Sequence, residues 1–256
     1  MKFWHDPSFT HRIAHRGAST YAPENSVAAI HQAAIHGATA VEVDLHTTQD
    51  GAFIITHDAT VEIAGTPHWI STLTLNELEQ QRPHNIDFVA LDELLATVNN
   101  EQLGLYLDIK QLLPGTENAL LKALADHDLV DQTVCASFHS DVLYRIRNIS
   151  QIDTSLLFYD QGLDLNALTQ SVNCQFVHPC FDLFPDPVDM LTAAWLDQVA
   201  RTGARIITWN TLSVSDATAL MRLGVAGICS DDPAVLVQAA SQLQSLDYTN
   251  DQSTGR

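Results

Sequence analysis

The stretch GATAVEVDLHTTQDGAFIITHD, residues 37–58, decides the fold. It holds two runs typical of β-strands, Val41–Leu45 and Phe53–His57, separated by Gln49-Asp50-Gly51. Asp-Gly between two such runs is typical of a tight hairpin, and the gap leaves no room for a crossover helix. We therefore predict that the two strands pair antiparallel, as an excursion from the end of one strand of a larger sheet.

Outside this hairpin, short β-type runs alternate with amphipathic helical stretches along the whole chain. The other predicted strands are Arg12–His15, Leu105–Ile109, Thr133–Ser137, Thr154–Phe158, Cys174–His178, Arg205–Trp209 and Gly227–Ser230. When Phe53–His57 is set aside, eight strands remain, each followed by a helical segment. This pattern predicts an α/β fold, a (β/α)₈ TIM barrel with a small β-hairpin excursion after strand 2.

Glycine marks three predicted helix ends, at Gly37, Gly203 and Gly224, and an apolar strand follows each of them. Such glycines suit the left-handed position after a helix, as in the repeated helix-to-strand returns of a parallel sheet. We predict a short helix near Leu75–Gln81 within an irregular loop after strand 2. We expect one barrel domain over residues 1–245 and a polar, frayed C-terminal tail over 246–256.

Charge and cysteine content narrow the class of protein. The chain has 256 residues, 46% of them apolar, and a formal charge of −19. We expect neither nucleic-acid binding nor stable membrane association, because anionic surfaces would repel such a chain. The four cysteines show no metal-type spacing, and no apolar run resembles a signal peptide or a membrane span. These features favour a soluble cytoplasmic protein with reduced thiols, and carry no signal of an oligomeric state.

Titratable residues concentrate where the predicted strands end, which is where TIM barrels hold their catalytic groups. If the hairpin turn centres on Asp50-Gly51, positions that sum to about 101 lie opposite each other, so His57 faces Asp44. Glu42 shares a strand face with Asp44. Asp108, at the end of the neighbouring barrel strand, would add a third carboxylate to the same point.

Three crowded carboxylates repel one another unless they are protonated or hold a cation, and oxygen-only ligands favour Mg²⁺ or Ca²⁺. Arg16 and Lys110 place positive charge beside them. A metal flanked by Arg and Lys suits phosphate, and His15 and His57 could serve as general acid and base. The residues therefore predict cleavage of a phosphoryl ester, with either water or a substrate hydroxyl as the attacking group.

Among the other histidines, two keep open alternatives. His46 alternates on the same strand as Glu42 and Asp44, so it either faces the site or packs in the structure. His178 ends strand 6 before a proline, where packing and substrate contact are equally compatible with the pattern.

The chain resembles the glycerophosphodiester phosphodiesterase family, of the compact bacterial type. The resemblance is carried by AHRGASTYAPENSVAAI at 14–30, the stretch at 37–58 and LYLDIK at 105–110, with weaker matches in SF at 137–138, ITWN at 207–210 and GVAGICSDDP at 224–233. It implies a TIM barrel that hydrolyses a small-molecule glycerophosphodiester to glycerol 3-phosphate and an alcohol. By this resemblance, His15 and His57 would be the acid–base pair, and Glu42, Asp44 and Asp108 the metal ligands. Arg16 and Lys110 would contact the phosphate, Trp209 would lie beside the glycerol, and Glu24 would be a supporting carboxylate.

Two departures from the family pattern concern the substrate and the metal. The family usually has Glu where this chain has Asp108, and the loop after His57 carries VEIAG at 61–65 in place of basic residues. One alternative is a phosphodiesterase of the same barrel type that acts on lysophospholipids or phosphoinositides, with an apolar rim of which Phe181, Leu183 and Phe184 would form part. The other is a non-catalytic barrel that binds a phosphorylated metabolite or a protein partner.

Overall fold

The computed structural model describes residues 2–81, 88–160, 162–180 and 187–253, and for residues 187 and 246–253 the backbone alone. Within these ranges the strands are β1 His11–Ala14, β2 Ala40–Thr47, β3 Phe53–Ile55, β4 Thr60–Ile63, β5 Thr66–Trp69, β6 Val89–Ala90, β7 Gly104–Ile109, β8 Thr133–Ser137, β9 Asp153–Phe158, β10 Phe176–Pro179, β11 Arg205–Thr208 and β12 Gly227–Ser230. The helices are α1 Val27–Ile35, α2 Leu75–Gln81, α3 Leu91–Asn100, α4 Glu117–Asp126, α5 Ser140–Ile149, α6 Leu165–Val172, α7 Ala193–Thr202, α8 Val214–Arg222 and α9 Pro233–Ser253.

Eight parallel strands close into a barrel. Their order is β1, β2, β7, β8, β9, β10, β11 and β12, and β1 pairs with both β2 and β12. A helix follows each barrel strand, so the predicted (β/α)₈ TIM barrel is confirmed. The strand ends therefore converge on one face, where such barrels place their functional side chains.

The hairpin after strand 2 is also present, but its register differs from the prediction by one residue. Leu45 pairs with Ile55, and the backbone N–H of Thr56 donates to the carbonyl of Asp44 at 3.0 Å. The expectation that His57 faces Asp44 was therefore wrong. The turn is longer than a two-residue loop, because Thr48 pairs with Ala52 and encloses three residues, the last of which is a glycine with φ +83°.

The loop between β3 and α3 holds more regular structure than expected. β4 and β5 form a second antiparallel hairpin through Ala64-Gly65, two residues with positive φ that suit a tight turn. The predicted helix Leu75–Gln81 is confirmed as α2. The three predicted helix-ending glycines, Gly37, Gly203 and Gly224, all have φ between +75° and +78°.

The barrel interior is packed with side chains and is closed at the end where the strands begin. A short 3₁₀ helix, Phe3–His5, inserts Trp4 into this interior, where it is fully buried and donates from Nε1 to the Gln132 carbonyl at 2.9 Å. His11 stacks on Phe3 with ring centroids 4.7 Å apart and is buried. Burial lowers the pKa of His11 to about 4.

The outer core lies between strands and helices, and α9 completes it. This helix extends to Ser253, so its regular backbone continues past residue 245 into the segment that was predicted to be a frayed tail. The division of the chain at 245 stays a prediction. All four cysteines are buried free thiols, and none of the helices within the described ranges combines the length and apolar character needed to traverse a bilayer.

Candidate active site

Three carboxylates meet where β2 and β7 lie side by side. Asp44 is level with Asp108 across this parallel pair, and Glu42 precedes Asp44 by two residues on the same strand face. One oxygen from each of Glu42, Asp44 and Asp108 lies within 4.8 Å of the others. All three residues are at least 95% buried. The sequence-predicted carboxylate cluster is therefore assembled by the register of two neighbouring strands.

The pKa values in this cluster show that its negative charge is not fully balanced. Burial, and then the charge of Asp44, raise the pKa of Glu42 well above its usual value; burial also raises the pKa of Asp108. Although burial favours its neutral form, Asp44 has a lowered pKa because Lys110 and a hydrogen bond from Asn25 stabilise its charge. A divalent cation would stabilise the charge of all three carboxylates together.

The cluster also has a buried carboxylate oxygen without a hydrogen-bond donor among the described residues. Asp108 Oδ1 is buried and finds no hydrogen-bond donor within the described ranges, whereas its other oxygen takes the Lys110 ammonium at 2.5 Å. A buried oxygen without a donor is unfavourable unless a ligand fills the position. Oxygen-only donors suit a hard cation such as Mg²⁺ or Ca²⁺, so the residues present fit a divalent metal. The shorter Asp108 side chain still reaches the cluster.

Lys110 and Arg16 lie against the carboxylates. Lys110 Nζ is 2.9 Å from Asp44 Oδ1, and Arg16 Nε is 3.3 Å from Asp44 Oδ2. The backbone N–H of Arg16, at φ 54°, donates to Glu42 at 2.8 Å. Arg16 Nη1 contacts both oxygens of Glu24 at 2.9 Å, so Glu24 steadies the guanidinium from the half-exposed rim.

Asn25 is a site residue to which the sequence argument assigned no role. It is buried with φ 55°, donates from Nδ2 to Asp44 Oδ2 at 2.8 Å, and accepts from the Asp44 backbone N–H at 3.1 Å. Paired contacts of this kind fix the orientation of a carboxylate. The signal for it was present in Pro23-Glu24-Asn25, since a polar residue that tolerates positive φ stands in the loop between strand 1 and the first helix.

His15 lies beside the carboxylates and is held by a residue that the sequence argument missed. Its Nδ1 is 2.6 Å from Asp231 Oδ1, and its Nε2 is 3.9 Å from Glu42. Its ring centroid is 5.3 Å from that of Trp209. Asp231 is held in turn by Asn210 Nδ2 at 2.8 Å and Ser19 Oγ at 3.1 Å. Although burial opposes its charge, these hydrogen bonds, that of His15 foremost, lower the pKa of Asp231 to about 2.

An ionised Asp231 can only accept, so His15 Nδ1 carries the hydrogen of this contact, and Nε2 is the nitrogen on the side of Glu42. Barrel closure could have pointed to Asp231, because it ends the strand that pairs with β1.

His57 lies on the loop after β3, directly after Thr56, whose backbone N–H donates to the Asp44 carbonyl. Its side chain is 42% exposed, and its Nδ1 is 2.9 Å from Asp58. It lines two cavities of about 570 and 610 Å³ that flank the carboxylates, the first with Glu24 and Asn25 and the second with Lys110. His46 is buried and its Nε2 is 3.2 Å from the His57 carbonyl, so it braces the His57 loop.

A narrow cavity of about 20 Å³, room for one water-sized group, lies in the middle of the site. Its lining includes most of the predicted site residues together with others from the barrel interior: His15, Arg16, Glu42, Tyr106, Asp108, Lys110, Leu157, His178, Trp209 and Cys229. Phe181, Leu183 and Phe184, the predicted apolar rim, lie outside the described residues.

A sequence model of the glycerophosphoryl diester phosphodiesterase family matches residues 15–235. The chain belongs to this family. It is 26% identical over 242 residues to the glycerophosphodiester phosphodiesterase of Caldanaerobacter subterraneus subsp. tengcongensis, covering 88% of this chain and 95% of that protein. Human glycerophosphodiester phosphodiesterase 1 is 36% identical over 148 residues, which are 53% of this chain and 44% of the human protein.

Solved structures share the fold of this chain. An Oleispira antarctica phosphodiesterase, crystallised with the product sn-glycerol 3-phosphate, superposes with a TM-score of 0.76 at 22% identity, covering 90% of this chain and 96% of that one. The Thermotoga maritima glycerophosphodiester phosphodiesterase gives 0.69 at 19% identity, covering 90% and 98%. At these identities the likeness shows the fold alone. The predicted family is thus confirmed by the sequence match and the predicted barrel by the structures.

Proposed function

We propose that this protein hydrolyses glycerophosphodiesters to glycerol 3-phosphate and an alcohol with the help of a divalent cation. The observation that carries the proposal is the convergence of three buried carboxylates with Lys110 and Arg16 at the carboxyl ends of β1, β2 and β7. The names of the relatives and the glycerol 3-phosphate bound to the Oleispira antarctica phosphodiesterase support the same substrate class.

Glu42, Asp44 and Asp108 would hold the cation, either Mg²⁺ or Ca²⁺, which when bound polarises a phosphate oxygen. Lys110 and Arg16 supply charge for the other phosphate oxygens, since both groups already point at the carboxylate oxygens that a cation would share. Trp209, against His15, forms a wall for the glycerol part of the substrate.

His15 and His57 serve as the acid–base pair. His15 is oriented by Asp231 so that Nε2 faces the carboxylates, where it can exchange a proton with the attacking or leaving oxygen. His57 borders the flanking cavity of about 610 Å³, whose wall also includes Lys110 and Trp69, so it can serve the opposite side of the phosphate. Water, or a glycerol hydroxyl that first forms a cyclic phosphate, is the attacking group.

The direct test measures glycerol 3-phosphate release from several glycerophosphodiesters with Mg²⁺, with Ca²⁺ and with EDTA. We expect activity that chelation abolishes and added cation restores. A non-catalytic barrel would show neither turnover nor metal dependence. Comparing glycerophosphocholine with its acylated form separates this activity from one directed at lysophospholipids.

The acid–base pair is tested by His15→Ala and His57→Ala, each of which should lower turnover by roughly 10²–10⁴-fold. His31→Ala is a matched control for His57, because His31 is also about half exposed and its Nδ1 contacts a carboxylate, Glu101, at 2.7 Å. Near wild-type turnover in either site variant would refute its role.

A further inference from the structure

His178 and Tyr106 form a buried pair inside the barrel. His178 is 3% exposed at the end of β10, and its Nδ1 is 2.8 Å from the hydroxyl of Tyr106. Tyr106 is fully buried on β7 and also contacts Ser155 Oγ at 2.8 Å. No acid–base or metal-binding role above uses this pair, although His178 lines the same narrow cavity as His15, Glu42 and Asp108.

The direction of these hydrogen bonds fixes the tautomer of His178. Tyr106 has one hydroxyl hydrogen, and the geometry has it donated to Ser155 Oγ. The contact at Nδ1 must therefore be a donation from His178 to the Tyr106 oxygen. A neutral imidazole with its hydrogen on Nδ1 leaves Nε2 as a bare acceptor. Burial keeps the ring neutral, since it lowers the pKa of His178 to about 3.

Nε2 of His178 is buried and has no hydrogen-bond donor among residues 2–81, 88–160, 162–180 and 187–253. A buried acceptor without a donor is costly, and this one lines a space that takes one water-sized group. A hydroxyl group has the size and the hydrogen that this position requires. A phosphate oxygen of a diester lacks the hydrogen.

We infer that His178 Nε2 accepts a hydrogen bond from a hydroxyl of the glycerol part of the substrate, and that His178 thereby selects glyceryl diesters over diesters without that hydroxyl. Tyr106 is the positioning residue that sets its tautomer. This inference rests on the proposed function and assigns His178 as a residue that recognises the substrate class.

The test compares the dissociation constants of glycerol 3-phosphate and propyl phosphate, which share the phosphate but differ in the hydroxyls of the glycerol. In the magnesium-loaded protein, His178→Phe should weaken binding of glycerol 3-phosphate about tenfold, the effect of one net hydrogen bond. It should leave the dissociation constant of propyl phosphate within about twofold of wild type. His11→Phe, which removes another buried imidazole at the opposite end of the barrel, should leave both dissociation constants unchanged.

An equal loss of affinity for both ligands would overturn the inference, because it would mark His178 as a structural residue. Nitrogen-15 NMR of the wild-type histidines gives a second readout that does not depend on a variant folding. We expect His178 Nε2 to lack a hydrogen and to shift with glycerol 3-phosphate but not with inorganic phosphate. A hydrogen found on Nε2 would also overturn it. Failure of the proposed function would appear separately, as wild-type protein that releases no glycerol 3-phosphate.

Discussion

The substitution Asp231→Asn tests whether Asp231 orients His15, and unlike a truncation it keeps the shape of the side chain. Both oxygens of Asp231 accept hydrogen bonds, Oδ1 from His15 and Ser19, and Oδ2 from Asn210. Asparagine has one acceptor and one donor in the same shape. If its oxygen faces His15, its amide meets the amide of Asn210; if it flips, its amide meets His15 Nδ1 and favours the other tautomer. One of these contacts is therefore lost in either orientation.

The expected size of the effect follows from the contact at 2.6 Å between His15 and an ionised carboxylate. A charge-assisted hydrogen bond contributes about 1.5–3 kcal/mol, and about 1.4 kcal/mol is tenfold in rate. Asp231→Asn should thus lower kcat roughly 10- to 150-fold while KM changes little, because Asp231 lies behind His15 and away from the phosphate groups.

The matched control is the next residue, Asp232. Its Oδ1 accepts from the Tyr21 hydroxyl and from the Ala234 N–H at the start of α9, without contacting His15. Asp232→Asn should keep kcat within about twofold of wild type, within the range of a surface change. Steady-state assays of glycerol 3-phosphate release distinguish the two variants. Equal activity of the two would refute the claim that Asp231 orients His15.

Three further predictions concern the cation and the acid stability of the barrel. Asp108→Asn should raise the Mg²⁺ concentration for half-maximal activity at least about tenfold, whereas the exposed Asp126→Asn should leave it unchanged; an unchanged value in both would exclude Asp108 as a ligand. Mg²⁺ at 100 times its dissociation constant should stabilise the wild-type fold by about 2.7 kcal/mol, measured as a raised Tm that Glu42→Gln diminishes; no shift in wild type would count against the metal site. Between pH 6.5 and its folded pKa of about 4, His11 binds more protons in the unfolded chain than in the native state. The free energy of unfolding should therefore fall by about 3 kcal/mol as the pH drops through that window. His11→Phe should reduce this pH dependence in urea unfolding, and parallel wild-type and variant curves would contradict it.

Much of the fold could be predicted from the sequence, because the barrel strands are short apolar runs set off by glycines and caps. The register of the first hairpin could not, since Asp50-Gly51 fits a two-residue and a three-residue turn equally well. One residue of register moves every side chain to the other face, and this is why His57 was expected opposite Asp44.

The residues that the sequence argument missed act through contacts between distant segments. Asp231 reaches His15 across 216 positions of the chain, and the contact exists only because β12 closes the barrel against β1. Trp4 belongs to a three-residue helix without periodicity, and its place inside the barrel depends on a shape formed by all eight strands. Local patterns identify the strands, whereas barrel closure determines which strand ends meet.

The charge balance of the site explains why a chain with a charge of −19 can take an anionic substrate. Glu42, Asp44 and Asp108 are buried beside Lys110 and Arg16, so carboxylates outnumber cations by one. A divalent cation reverses that sign and gives a local excess of one positive charge, which matches the single negative charge of a phosphodiester. Two further carboxylates contribute less to this balance, because solvent screens the half-exposed Glu24 and Asp231 is paired with His15. We therefore expect a bound cation to govern whether the phosphate binds, in addition to how fast it reacts.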